Sequence, residues 1–276
     1  MLNKLSKNRI IVILAALVLI LLAILILGRI LGPAKLNKPE SIAFDSVNGN
    51  LLISNVGNGK ILSMDDKGHL KLFIGKGIKN PRGMKVLAPY LFVADKTQLH
   101  VIDLQEKKIS QSIPVEGAKM LNDVESDSYG KLYVTDTEAD RIFIVNPGTR
   151  QVQSISSPLL KSPNGLVYDR PRNQMLIVCL SKGSPILALD LGTNDLSVFK
   201  ETLYDNLDGI AIDDLGRIYI SSWGENAIYM IPQEQNRFIQ WKSAVNSPAD
   251  IYYHQPTNEL LVPLFEQNRI ERFKVE

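Results

Sequence analysis

The sequence predicts an all-β chain, a six-bladed β-propeller preceded by one N-terminal transmembrane helix, and three observations carry that reading. First, a short signal recurs six times: Pro39-Glu40-Ser41-Ile42, Pro81-Arg82-Gly83-Met84, Leu121-Asn122-Asp123-Val124, Pro163-Asn164-Gly165-Leu166, Leu207-Asp208-Gly209-Ile210 and Pro248-Ala249-Asp250-Ile251. Counted at its second position, the spacings are 42, 40, 42, 44 and 41 residues. Second, the intervals hold short β-branched and aromatic runs separated by Gly, Pro, Asn and Asp, with no sustained helical period. Third, residues 10–28 form an uncharged run of 19 residues ahead of the repeats.

The N-terminal run is taken first because it stands outside the repeats. Nineteen apolar residues at about 1.5 Å each nearly match a hydrocarbon core of roughly 30 Å. A cleaved signal peptide has a shorter apolar region and a small-x-small site, whereas Gly28-Arg29-Ile30-Leu31-Gly32-Pro33 offers none. The expectation is an uncleaved anchor over 10–32, behind a short basic segment over 1–9. Lys4, Lys7 and Arg9 precede the run and Arg29, Lys35 and Lys38 follow it. The tighter N-terminal cluster predicts the N-terminus inside and the propeller extracytoplasmic, periplasmic or extracellular.

Each repeat then reads as four strands. In the third they fall at 124–126, 131–135, 141–145 and 151–155; in the fifth at 209–212, 217–221, 227–231 and 237–241. A unit of about 40–50 residues with four short strands is a propeller blade. Six such units fill 39–276. The last holds only three strands, at 251–254, 260–263 and 269–274. Either blade six has three strands or the segment before Pro39, a linker or closing strand at 33–38, completes it.

Composition agrees. The chain has 276 residues, 45% apolar and 22% charged, which excludes a disordered class. Cys179, the one cysteine, excludes an intramolecular disulfide. Residues 1–32 hold four cations and no acid, so the rest of the chain is slightly acidic despite the overall +2. No nucleic-acid partner is expected.

In a propeller the first strand of each blade lines the central channel, and the second returns antiparallel to it. The start of strand one and the end of strand two therefore share a face. The anchor column reads Glu40, Arg82, Asn122, Asn164, Asp208 and Ala249; the strand-two ends read Asn55, Asp95, Asp136, Leu180, Ser222 and Leu264. Asp95 and Asp136 are expected to cap turns. The anchor column varies from blade to blade, whereas a structural requirement would repeat one residue. Its oxygen-rich set suits Ca²⁺ or another divalent cation, with Asp123 and Asp250 adding carboxylates one position on. Arg82 is the competitor, since its charge offsets theirs.

The ordered set Pro39-Glu40, Asn122-Asp123, Pro163-Asn164-Gly165-Leu166 and Leu207-Asp208-Gly209 resembles the gluconolactonase–regucalcin (senescence marker protein) family across 39–276. That resemblance implies a six-bladed propeller with one divalent cation in the channel. It implies Glu40, Asn164 and Asp208 as ligands and Asp208 also as general base. Asn122 would sit beside the substrate, with Arg82 and Asp123 counted on the same side. Sugar lactonases of the family carry an arginine where this chain has Met120. The histidines His69, His100 and His254 lie away from the anchor column and read as structural. No G-x-S-x-G elbow frames a serine.

Two readings follow. One is a membrane-anchored, metal-dependent hydrolase of a lactone or related ester, with the bound cation polarising the carbonyl. The other is a non-enzymatic propeller that binds a ligand or partner through the same face.

Overall fold

A computed structural model describes residues 7–31, 34–234 and 237–276. The chain divides into two compact units between Ala34 and Lys35, each taken here by itself.

In the first unit, Lys7–Leu31 is helical. The expected membrane span over 10–32 is corrected: among the described residues, no helix is long and apolar enough to cross a membrane. The continuous stretch whose side chains are described, Ile11 to Leu22, is exposed. The flanking side chains of that segment, and residues 1–6, lie outside the described residues. The membrane partner, the N-inside topology and the extracytoplasmic propeller lose their support with the span.

The second unit is the expected six-bladed ring. Five four-stranded antiparallel sheets and one three-stranded sheet occur, each with its strands in chain order. Their first strands are Pro39–Asp45, Pro81–Leu87, Leu121–Ser126, Pro163–Asp169, Leu207–Ile212 and Tyr252–His254. Six apolar clusters fill the six gaps between neighbouring blades. Leu52, Ile61, Met84 and Val93 pack blade one on blade two, and Ile42, Ile53 and Leu261 close blade six on blade one. Blade six keeps three strands, so packing closes the ring rather than a strand from 33–38. A hydrogen bond from the Lys38 amide to Asn268 Oδ1, at 2.7 Å, adds to the closure.

Two sequence features shape the channel. The residue two places before each anchor in blades one, four, five and six (Lys38, Ser162, Asn206, Ser247) has a left-handed backbone, with φ between 48° and 54°. The first strand then departs from regular pairing at the anchor itself, as between Pro39 and Ile42 or Leu207 and Ile210. Such bulges bend a strand and re-aim its side chains.

The backbone groups released by the bulge find partners in alternate blades. Ser54, Thr135 and Ser221 accept from the amides of Ser41, Asp123 and Gly209 at 2.7–3.0 Å. Thr135 and Ser221 then donate to the carbonyls of Asn164 and Ala249 in the next blade. Close approach also dictates glycine: a Cβ on Gly165 would lie 2.4 Å from the Asp208 carbonyl oxygen.

Candidate functional site

The five polar anchor residues, Glu40, Arg82, Asn122, Asn164 and Asp208, converge on one cavity of about 370 Å³ at the start of the first strands. All sit in or beside the bulges. Equivalent backbone positions on five blades thus bring together residues more than 160 positions apart in sequence.

An apolar wall completes the cavity with Met120, Leu180, Trp223 and Phe265. Sequence reasoning placed Leu180 at the end of strand two, but Pro163 pairs with Cys179. Leu180 therefore lies one residue beyond, at the position held by Thr137, Trp223 and Phe265 in blades three, five and six. Trp223 and Phe265 were missed for this reason: the informative column is one residue further on. Their backbone amides are pinned by the carbonyls of Asn206 and Ser247, each at 3.0 Å, and their ring centroids are 5.5 Å apart.

The strand-two column itself is structural, as expected. Asp95 accepts from the amides of Lys79 and Asn80, and Asp136 from those of Lys119 and Met120. These carboxylates tie each incoming linker to the blade it feeds. Cys179 is fully buried, and burial pushes its thiol up.

Electrostatics at the polar floor are dominated by one pair. Arg82 Nη1 donates to Glu40 Oε1 at 2.9 Å, and Arg82 Nε to Asn80 Oδ1 at 3.1 Å. Burial raises the Glu40 carboxyl above its usual range, against the pull of Arg82. Burial and then repulsion from Glu40 push Asp208 well above the carboxylate range, partly offset by Arg82 and by a hydrogen bond from Asn164. Asp208 Oδ1 and Trp223 Nε1 are buried without a hydrogen-bond partner. Asn122 donates to Thr137 Oγ1 at 2.8 Å, and Thr137 donates on to the Pro163 carbonyl, which fixes the Asn122 amide.

Glu40, Asn164 and Asp208, the residues expected to hold Ca²⁺ or another divalent cation, thus share the cavity. Glu40 is paired with a guanidinium, which competes with a cation for that carboxylate. Among the described residues, no group of three or more His, Cys, Asp or Glu side chains could hold a metal ion. The metal-dependent hydrolase is corrected on that ground.

Asp123 lies elsewhere. Its carboxylate accepts from the amides of Val124 and Leu166, at 2.7 and 2.9 Å. With Asp250 it lines a second cavity of about 310 Å³ further along the same strands. Burial, eased by those two amides, raises Asp123 to about 7. Burial and then the charge of Asp123 push Asp250 well above the carboxylate range. Of the histidines, His69 faces Asp65 on the surface, while His100 and His254 are buried outside both cavities.

Solved propellers superpose on this chain. Virginiamycin B lyase from Staphylococcus aureus gives a TM-score of 0.70 at 15% identity, covering 88% of this chain and 83% of that one. A gluconolactonase from Xanthomonas campestris gives 0.71 at 14% identity, covering 84% and 85%. A protein of unknown function from Bacteroides thetaiotaomicron gives 0.70 at 14%, covering 88% and 70%. At such identities the likeness establishes the fold alone. No curated protein matches the sequence significantly. Residues 38–263 do match a family, and they span most of the propeller, so the chain belongs to the SMP-30/gluconolactonase/LRE-like region family.

Proposed function

We propose that the protein is a small-molecule-binding propeller that seats a lactone or related ester in the cavity between the anchor residues and the Trp223–Phe265 wall. The observation that supports this most is the pair of orphaned polar atoms. A buried N–H or carboxyl oxygen without a partner costs about 1–3 kcal/mol. A ligand carbonyl on Trp223 Nε1, or a ligand hydroxyl or carbonyl on Asp208, recovers that cost. Ring faces suit the indole and phenyl wall. The cavity volume is in the range of small-molecule sites.

Turnover is the second reading, and the state of Asp208 favours it. As water bonds to the ester carbonyl carbon and the carbon–oxygen bond to the leaving oxygen breaks, a carboxyl that burial pushes well above its range can donate its proton to that oxygen and recover one from the added water. This role invokes no metal.

The experiment is a screen of small lactones and esters against the full chain, followed by Trp fluorescence and by titration of released acid. Saturable quenching lost in Trp223→Phe, without acid release, supports the binding module. Acid release abolished in Asp208→Asn supports turnover. Indifference of Trp223 fluorescence to every lactone and ester would overturn both.

A further inference from the structure

Blade two carries a second chemically competent group on its outer edge, outside the linings of both cavities. Its outermost strand, Lys108–Pro114, is an edge strand, with a neighbour on one side only. Ser112 on that strand is exposed and pairs in register with His100 on Gln98–Asp103. The Ser112 hydroxyl lies 2.8 Å from His100 Nδ1. His100 Nε2 lies 3.0 Å from Asp95 Oδ2. Both His100 and Asp95 are buried, with side chains 3% and 1% exposed.

Chemistry fixes the direction of these bonds. Burial works against the Asp95 charge, but the hydrogen bonds from His100, Lys79 and Asn80 outweigh it and hold the carboxyl below its usual range. An ionised carboxylate only accepts, so His100 Nε2 carries the hydrogen. In the neutral ring Nδ1 is then an acceptor, and Ser112 must donate to it. The order is a hydroxyl, a base and a carboxylate that sets the tautomer of the base. Nε2 and Nδ1 have exchanged their more familiar places, and the logic is unchanged.

We propose that Ser112 is a base-activated nucleophile, positioned by His100 and Asp95, that takes an acyl group from small activated esters at the outer edge of blade two. Ser112 Oγ bonds to the ester carbonyl carbon as its proton passes to His100 Nδ1. The carbon–oxygen bond to the leaving group then breaks, and His100 returns the proton to the departing oxygen. The products are acyl-Ser112 and an alcohol or phenol. Along the free edge of this strand, N–H groups face no neighbouring strand and can solvate the transient oxyanion. Ser112 lines neither of the two cavities described above, so the substrate class is small and selectivity comes from reactivity rather than from those pockets.

Ser110 supplies an internal control. It is exposed on the same strand two residues away, but donates to the Val101 carbonyl at 2.9 Å and has no base. Full-length protein is treated with a fluorophosphonate and, separately, with p-nitrophenyl acetate. Adducts are then placed by fragmentation of tryptic peptide 109–119, which holds both serines. Ser112 is expected to label at least tenfold faster than Ser110, with phenol release lost in Ser112→Ala. Unfolding in urea should bring the two rates together. His100→Gln should do the same in folded protein. Because that variant removes a buried group, the wild-type ratio in native protein and in urea stands as the independent measurement. Equal labelling of the two serines, no labelling of either, or a preference that survives in urea would overturn the proposal.

Discussion

Arg82 and Glu40, anchor residues of adjacent blades, form a buried ion pair at 2.9 Å across the mouth of the channel. The guanidinium donates to Glu40 Oε1 and supplies positive charge beside that carboxylate. Two further carboxyls nearby, Asp208 and Asp250, are pushed well above the carboxylate range by burial and by the neighbouring carboxyls, and at Asp208 the pull of Arg82 works against that rise.

The pair yields the first prediction. Arg82→Ala leaves Glu40 buried without its partner, and breaking a buried pair costs roughly 3–5 kcal/mol. The arginine is partly solvated at 18% side-chain exposure, so the lower end is expected. At about 2–4 °C per kcal/mol for a domain of this size, the melting temperature should fall by roughly 6–12 °C. The double variant Arg82→Met, Glu40→Gln should recover much of it. A single variant as stable as the wild type would remove the pair from the account.

A second prediction concerns metal. Anything that binds only the folded state raises its stability with concentration. Calcium at millimolar levels, and chelator in its place, should leave the melting temperature unchanged within about one degree. A saturable rise would show that Glu40 exchanges Arg82 for an ion and would restore the divalent centre.

How much of this was legible in the sequence follows from what each feature depends on. The blades were legible because Gly, Pro and β-branched residues recur on the strand period, and strands such as Arg141–Val145 fell where expected. The polar column was legible too, since Glu40, Asn164 and Asp208 share one position in each repeat. The wall was not. Trp223 and Phe265 are identified by pairing register, and Cys179, rather than Leu180, pairs with Pro163. A one-residue slip is invisible in an apolar run such as Gln174–Cys179. The fate of Glu40 was equally hidden. Whether a carboxylate meets a cation or a guanidinium depends on where Arg82 points, and its spacing does not say.

The third prediction is a pH dependence. Burial gives Glu40, Asp123, Asp208 and Asp250 folded-state values above their usual ones. The folded protein then holds protons that the unfolded chain releases. The stabilisation is fully present below the unfolded values, near pH 4, and is lost as pH rises through the folded ones. For Asp123 the window closes near 7. Buried His254, held low by burial and then by Arg272, works the other way below its usual value. The melting temperature should therefore decline from pH 5 to 8, and Asp250→Asn should flatten the decline. A parallel slope in wild type and variant would deny Asp250 its part.

The last prediction tests the close contact that sets the shape of the site. A Cβ on Gly165 would meet the Asp208 carbonyl oxygen at 2.4 Å and Gly209 Cα at 2.9 Å, both backbone atoms that cannot swing aside. On Gly209 it would meet the Ile251 amide nitrogen at 2.4 Å. Overpacking usually costs about 1–3 kcal/mol, and backbone obstruction places Gly165→Ala at the upper end. That corresponds to a fall of roughly 6–12 °C. A blade forced outward also carries the Asp208 side chain away from Asn164, so ligand binding should weaken more than in an equally destabilised variant distant from the channel. Leu187→Ala, in the apolar packing between blades three and four, is that comparison. Melting curves matched for stability, followed by fluorescence titration of the same lactone or ester, separate the two effects. Equal loss of binding in both variants would mean that blade spacing at Gly165 does not govern the site.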